Sequence, residues 1–464
     1  MSDTAPAPSP RLPLCTLAAY GQIGFPLAIA DLPIIIYLVP FYTGDLGLAV
    51  ATAGLIKMLA RIGDVFTDPI IGALSDRTRL KLGRRRTWIL AGLPVTLLGV
   101  FMLFIPPDGA DALHLFVWLS VFSLGWTMIT IPYGALGAEI SDDYGERSRI
   151  TGARAMFVFA GILIASLAPI FAGGGVGTEA GVRPIMNFLG LGTLMLLPIS
   201  VAVLALGVPE PPVREQSRLP YFKGLALAAR NKPFVRLIAA TFIGRVGSGM
   251  NQSMVLWFFA FAMGLPPEIA GLPLLVWLTL AVMGAPLWMY LGARWSKHRA
   301  LSFSVFLAVG SFSTLLLMPD GALGLSMIAM AVAGTAGAAS FTLGTSMAAD
   351  VIEYDNLRGR EQRAGLLVAL WGLVGKLADA IGIGLAAILV AQFGFSPNAP
   401  VDETASLGLT LAYVVAPALI GLSTVPFYWN FPITPDVQRR IRAIVAKREA
   451  RAHTRRPNAS ASSV

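Results

Sequence analysis

Apolar stretches of about 20 residues or more, the length that crosses a hydrocarbon core of ~30 Å, recur along this chain. Twelve can be marked, at 17–42, 48–76, 87–106, 112–139, 150–172, 184–207, 234–262, 268–293, 299–318, 321–349, 363–393 and 404–430. Short polar or basic turns separate them, and Gly or Pro cuts several. The pattern predicts an all-α membrane protein with twelve transmembrane helices. The one long hydrophilic interruption is 208–233, VPEPPVREQSRLPYFKGLALAARNKP, which divides the spans six and six. The expected organisation is an N-terminal half over 1–207, a linker over 208–233, a C-terminal half over 234–431 and a basic tail over 432–464.

A faint repeat supports that division. GAEISDDYGERSRITGARAMFVFAG at 137–161 resembles AADVIEYDNLRGREQRAGLLVALWG at 348–372, at corresponding places in the two halves. Paired halves of this kind frame a central site in many secondary transporters.

Length alone would suggest several soluble domains, but 55% hydrophobic and 13% charged residues overrule that. The net charge of +9 raises the question of a nucleic-acid partner, and its distribution answers it. Arg77, Arg79, Lys81, Arg84, Arg85 and Arg86 crowd the turn after the second span, and the linker and both tails are also basic. With both tails placed in the cytoplasm, Arg183 alone falls in an outer loop. The excess is therefore topological, as the positive-inside rule requires, and no nucleic-acid partner is expected. The location implied is the cell membrane, with both termini cytoplasmic.

The single cysteine, Cys15, excludes an intrachain disulfide and any cysteine-based metal centre. The first span is too long for a signal peptide and is expected to stay as an anchor. In the C-terminal tail, Val437, Ile441, Ile444 and Val445 share one face, with Arg439, Arg440, Arg442 and Lys447 around them. That suits a short helix on an anionic leaflet, or a disordered basic tail. Residues 452–464 are expected to be disordered, and Asn458 is a glycosylation match on the wrong side of the membrane.

Chemistry concentrates in KMLARIGDVFTDPIIGALSDRTRLKLGRRRTWILAG at 57–92. Lys57, Arg61, Asp64 and Asp68 follow in steps of four, three and four, so all lie on one stripe of the second span. A charge at mid-bilayer costs about 2.5–3.5 kcal/mol on insertion scales, so two acids a turn apart need a compensating purpose. With Thr67 beside them they can hold Na⁺ through oxygen or share a proton; alternatively they pair internally with Lys57 and Arg61. Lys376 and Asp379, three apart on the eleventh span, neutralise each other or leave Lys376 free for the solute or for the acids of the second span. Arg154 lies near the start of the fifth span, where it can also snorkel. Arg245 lies near mid-membrane and suits an anionic solute group. Asp31 has no partner nearby in sequence and must pair across helices or titrate. Tyr37, Trp126, Trp257, Phe341 and Trp371 are candidates for stacking on sugar rings, against the commoner role of packing.

Gly382-Ile383-Gly384-Leu385-Ala386-Ala387 fits a dinucleotide fingerprint only on paper, because no strand precedes it. The three histidines form no cluster in sequence, no P-loop is present, and no nucleophile–base constellation points to an enzyme. No cofactor is expected beyond a coupling ion.

Four segments, ARIGDVFTDPIIGALSDRTRLKLGRRRTWILAG, IPYGALGAEISDDYGERSRITGAR, MAADVIEYDNLRGREQRAG and GLVGKLADAIG, resemble the glycoside–pentoside–hexuronide:cation symporter family. This is the melibiose-carrier branch of the major facilitator superfamily. The resemblance implies a major facilitator fold of two six-helix halves that works by alternating access. It places Asp64 and Asp68 on the cation-site carboxylates and Thr127 on a fourth-span threonine of the same site. It places Arg154 on a sugar-contacting arginine and Lys376 on the lysine between the solute and cation regions. Thr67 replaces an asparagine important for choosing Na⁺, which leaves H⁺ open. Thr130 and Gly134 replace the aspartate and tryptophan that grip galactosides, and Asp31 lies almost a turn beyond the usual first-span aspartate.

The resulting expectation is H⁺- or Na⁺-coupled symport of a sugar, glycoside or hexuronide by a monomer. The solute is bounded by Arg154, Lys376, Asp31, Thr130, Arg245 and Trp371. Asp76, Arg77, Glu139, Asp350 and Arg363 are expected to form a cytoplasmic gate. A carrier of lysolipid or another amphiphile is the alternative.

Overall fold

The structure, a computed structural model, describes residues 11–141, 143–210, 228–358, 364–434, 436–440 and 444. The first six long helical segments are α1 (Leu14–Asp45), α2 (Val50–Arg77), α3 (Arg84–Phe104), α4 (Ala112–Glu139), α5 (Tyr144–Ser166) and α6 (Arg183–Gly207). The last six are α7 (Lys232–Trp257), α8 (Leu272–Met283 with Ala285–Trp295), α9 (Lys297–Thr314), α10 (Leu323–Arg358), α11 (Ala364–Gln392) and α12 (Glu403–Trp429). Helices satisfy every backbone group within one segment, which is why an apolar chain crosses lipid in this form. Among the described residues nine stretches are long and apolar enough to cross a bilayer, and α8 makes a tenth. Helices α2 and α7 are as long, but ionisable or amide side chains interrupt their apolar sequence.

Several ends are set by local chemistry. Asp111, Asp143, Asn231 and Asp402 each accept a hydrogen bond from the N–H three residues on and so cap α4, α5, α7 and α12. The run at 268–293 is not one straight span: α8 bends by 48° between Met283 and Ala285, beside Pro286. The run at 150–172 begins earlier, at Tyr144, and is interrupted at Leu167 before a short helix, Ala168–Ala172. Helix α1 contains π turns at Pro33–Tyr37 and Phe41–Asp45.

Helices α1–α6 pack among themselves and α7–α12 do likewise; the main contacts between the two sets are α2 on α11 and the first π turn of α1 on α7. The apolar core shows how the sets meet. At the end away from the termini one cluster runs through both, from Ile34 and Phe104 to Trp257 and Tyr413. At the end carrying the termini the core splits in two, one cluster around Tyr133 and Leu204, the other around Trp288 and Met347. Polar contacts agree: Asn398 Nδ2 donates to the Thr43 carbonyl at 3.0 Å, joining the sets at the far end. The two sets are thus closed against each other at the far end.

Most of the linker, residues 211–227, lies outside the described residues, as do Arg363 and residues 452–464. Of the basic tail, 436–440 is helical, while Ile441, Arg442, Val445 and Lys447 lie outside.

Candidate functional site

The charged stripe of α2 faces inward, between α1, α4 and α11. Asp64 is 3% exposed and Lys57 1%, so neither reaches water or lipid. Asp68 is held from two sides: Thr127 Oγ1 of α4 donates to its Oδ1 at 2.9 Å, and Lys376 Nζ of α11 makes an ion pair with its Oδ2. The second bond joins the two helix sets. Arg61 lies 3.7 Å from Asp64 and 3.8 Å from Asp31 on α1, bridging both carboxylates. Ser123 of α4 also faces Asp64. Asp64 Oδ1 and Thr67 Oγ1 are buried and make no hydrogen bond to protein. Buried oxygens without partners are costly, and here they sit beside two acids. Two carboxylates and two hydroxyls are hard ligands suited to a small cation, and Lys376 supplies a counter-charge in the arrangement seen.

A second ion pair lies on α11. Arg245 of α7 pairs with Asp379 Oδ2, so Lys376 and Asp379 do not neutralise each other as their spacing allowed. The two lie only about 60° apart around α11, yet Lys376 turns to α2 and Asp379 to α7.

Other expected site residues are placed less centrally. Arg154 stacks 4.8 Å over the ring of Tyr133, which itself packs on Tyr20 at 4.6 Å. Thr130 donates to the Trp126 carbonyl of its own helix at 2.9 Å. Trp371 packs against the core of the last six helices. Tyr37 and Trp257 are 3% and 0% exposed, so the structure contradicts their reading as stacking surfaces: both are core, and Trp257 packs on Phe395.

The expected gate residues form clusters within each set. Arg85 binds Asp76 and Glu139, both at 2.7 Å, and Arg84 also binds Glu139. Asp350 binds Lys297 at 2.5 Å and is also reached by Gln438. Arg77 is exposed at the end of α2.

Sequence reasoning passed over the roles of two groups. Glu210 accepts from the Arg85 N–H at 2.6 Å, tying the start of the linker to α3. Lys57 Nζ donates to the Ile35 carbonyl at 2.7 Å. In a π turn that carbonyl faces the N–H five residues on, and residue 40 is proline, which has none. Pro33 and Pro40 near a buried lysine were the available signal.

A family model described as MFS/sugar transport protein matches residues 19–435. The chain belongs to that family. Proteins similar to this one include an uncharacterized symporter of Synechocystis, 26% identical, covering 96% of this chain and 98% of that protein. The sodium-dependent lysophosphatidylcholine symporter 1 of Mus musculus is 24% identical over 96% of this chain and 90% of its own. A glucuronide carrier protein homolog of Escherichia coli is 21% identical, covering 86% and 88%. Among solved structures, a bacterial homolog of the lysosomal transporter Spinster, in an inward-facing conformation, superposes with a TM-score of 0.67 at 15% identity. It covers 90% of this chain and 98% of that one, which shows the shared fold. This MFS/sugar transport protein is therefore a multi-pass membrane transporter of the secondary, facilitator type.

Proposed function

We propose that the chain is a cation-coupled symporter of the melibiose-carrier type, taking up a glycoside or hexuronide with H⁺ or Na⁺. One observation carries the reading: Asp68, shared by Thr127 and Lys376, lies beside Asp64 Oδ1 and Thr67 Oγ1, buried oxygens that make no hydrogen bond to protein. A cation there would replace Lys376 as the counter-charge and loosen the bond between the two halves. Solute and ion are then linked because both favour one conformation. The basic turns support cytoplasmic termini, and on that orientation the arrangement seen, closed at the far end, faces inward. Arg154, Asp31, Arg245 and Trp371 line the route for the solute, and the Asp76–Arg85–Glu139 and Lys297–Asp350 clusters hold each half at its cytoplasmic rim.

The test is cation-stimulated uptake in membrane vesicles, with a panel of glycosides, hexuronides and lysolipids. Asp68→Asn is expected to abolish stimulation by the cation. Full stimulation in that variant sinks the assignment.

A second reading, an amphiphile carrier, is supported by the likeness to the lysophosphatidylcholine symporter along almost the whole chain. Thr130 and Gly134, where a galactoside grip would stand, also favour it. Cation-driven uptake of lysophosphatidylcholine with no response to any glycoside or hexuronide would decide for it.

A further inference from the structure

The Arg245–Asp379 pair has no part in the cation site as described, yet it is built with care. Helices α7 and α11 cross at glycines: a Cβ on Gly382 would lie 2.1 Å from the Val246 carbonyl oxygen, and one on Gly249 2.4 Å from that of Asp379. Only glycine permits that approach, and it sets Arg245 and Asp379 side by side. Gly375, one turn before Asp379, leaves open the space beside the guanidinium.

The pair is incompletely satisfied. Arg245 Nε and Asp379 Oδ1 are both buried and make no hydrogen bond to protein. A guanidinium offers a planar fork that a carboxylate or phosphate fills with two bonds, whereas Arg245 meets Asp379 through one nitrogen, Nη2. The arginine side chain is also the more open partner, at 39% exposure against 18% for the aspartate. An anion arriving from solution therefore meets Arg245 first.

Lys376 lies three residues before Asp379 on α11 and is bonded to Asp68 of the cation site. Side chains at that spacing on a helix are neighbours, so a freed Asp379 has Lys376 within reach. Arg61 also acts on Asp379 electrostatically, so the aspartate faces cationic groups from both halves.

We propose that Arg245 docks an anionic group of the transported solute, a carboxylate or phosphate, and that Asp379 is a resident stand-in which, once displaced, draws Lys376 from Asp68. Charge balances at every stage. The solute anion takes Arg245, Asp379 takes Lys376, and Asp68 takes the incoming cation. Solute binding thereby prepares the cation site, and a neutral solute cannot do so. The inference rests on the cation reading of Asp64 and Asp68 and adds to it the solute's charge and the means of coupling.

The test uses purified full-length protein and three probes: methyl glucuronide, glycerol phosphate and the neutral methyl glucoside. Binding of radiolabelled Na⁺, and proton uptake followed with a pH dye, are measured with and without each probe. In the wild type at least one anionic probe is expected to strengthen cation binding by roughly 5–150-fold, the usual range of site–site coupling, and the glucoside by none. Whether the carboxylate or the phosphate acts identifies the group. In Asp379→Asn and Asp379→Ser the anionic probe is expected to bind at least as tightly as in wild type while its effect on the cation disappears. No response of the wild type to either anion, or a full response in folded Asp379 variants, overturns the proposal. Loss of cation binding in Asp68→Asn, measured without any probe, tests the underlying reading separately.

Discussion

Lys57 shows how a single side chain can be fixed by a defect elsewhere. Pro40 withdraws the N–H that the Ile35 carbonyl would use, and Lys57 supplies a substitute from the neighbouring helix. Lys57→Ala should cost about 1–3 kcal/mol, the desolvation penalty of an unmet buried acceptor, with a further loss for the space left behind. Thermal unfolding of the purified protein reads this directly, and an unchanged Tm would show that the bond contributes nothing. Ser296 is the counterpart at the turn before α9. It has φ 107°, alone in positive φ among the described residues other than glycine, while Gly83 holds the matching place before α3 with φ 101°. A serine in that region carries strain on the order of 1–3 kcal/mol. Ser296→Gly is expected to raise Tm, and a lower Tm would mean that the Ser296 hydroxyl matters more than its backbone.

At the scale of elements, the contact of α2 with α11 sets which arrangement is stable. A Cβ on Gly54 would lie 2.1 Å from Ala387 Cβ, and one on Gly384 2.4 Å from Met58 Sδ. Gly54→Val must push the helices apart at the far end. The variant is expected to favour the opposite arrangement, seen as a longer distance between spin labels on the far ends of α2 and α11. An unchanged distance would show that the crossing can absorb the bulk.

Much of this architecture was legible because hydropathy period and span length are local properties; 112–139 coincides with α4. The bend in α8 was not, since Gly284 and Pro286 permit a kink without requiring one. The same contrast holds in the site. Asp64, Asp68 and Lys376 stand out because charge in an apolar helix is conspicuous. The partners are another matter: Arg245 with Asp379 depends on a glycine crossing between α7 and α11 that no spacing within either helix reveals. Tyr37 and Trp257 failed as stacking candidates for a related reason, because composition cannot separate an aromatic that lines a path from one that fills a core.

For the whole molecule, the decisive fact is that the core is shared at one end and divided at the other, with the Asp68–Lys376 ion pair spanning the gap between the sets. Removing one partner of such a pair leaves a lone charge in a partly buried site, which is unfavourable though less so than in a fully buried one. Lys376 can therefore be regarded as a passenger that never leaves. On the symport reading proposed above, the lysine would take the vacated seat once the cargo leaves on the cytoplasmic side and would spare the carrier from turning round with bare acids in a low-dielectric interior. Lys376→Ala should accordingly impair accumulation of solute more than exchange of labelled for unlabelled solute, exchange suffering only from the Asp379 left unpaired in the loaded carrier. Equal loss of both activities would mean that the lysine serves the loaded carrier as well as the empty one.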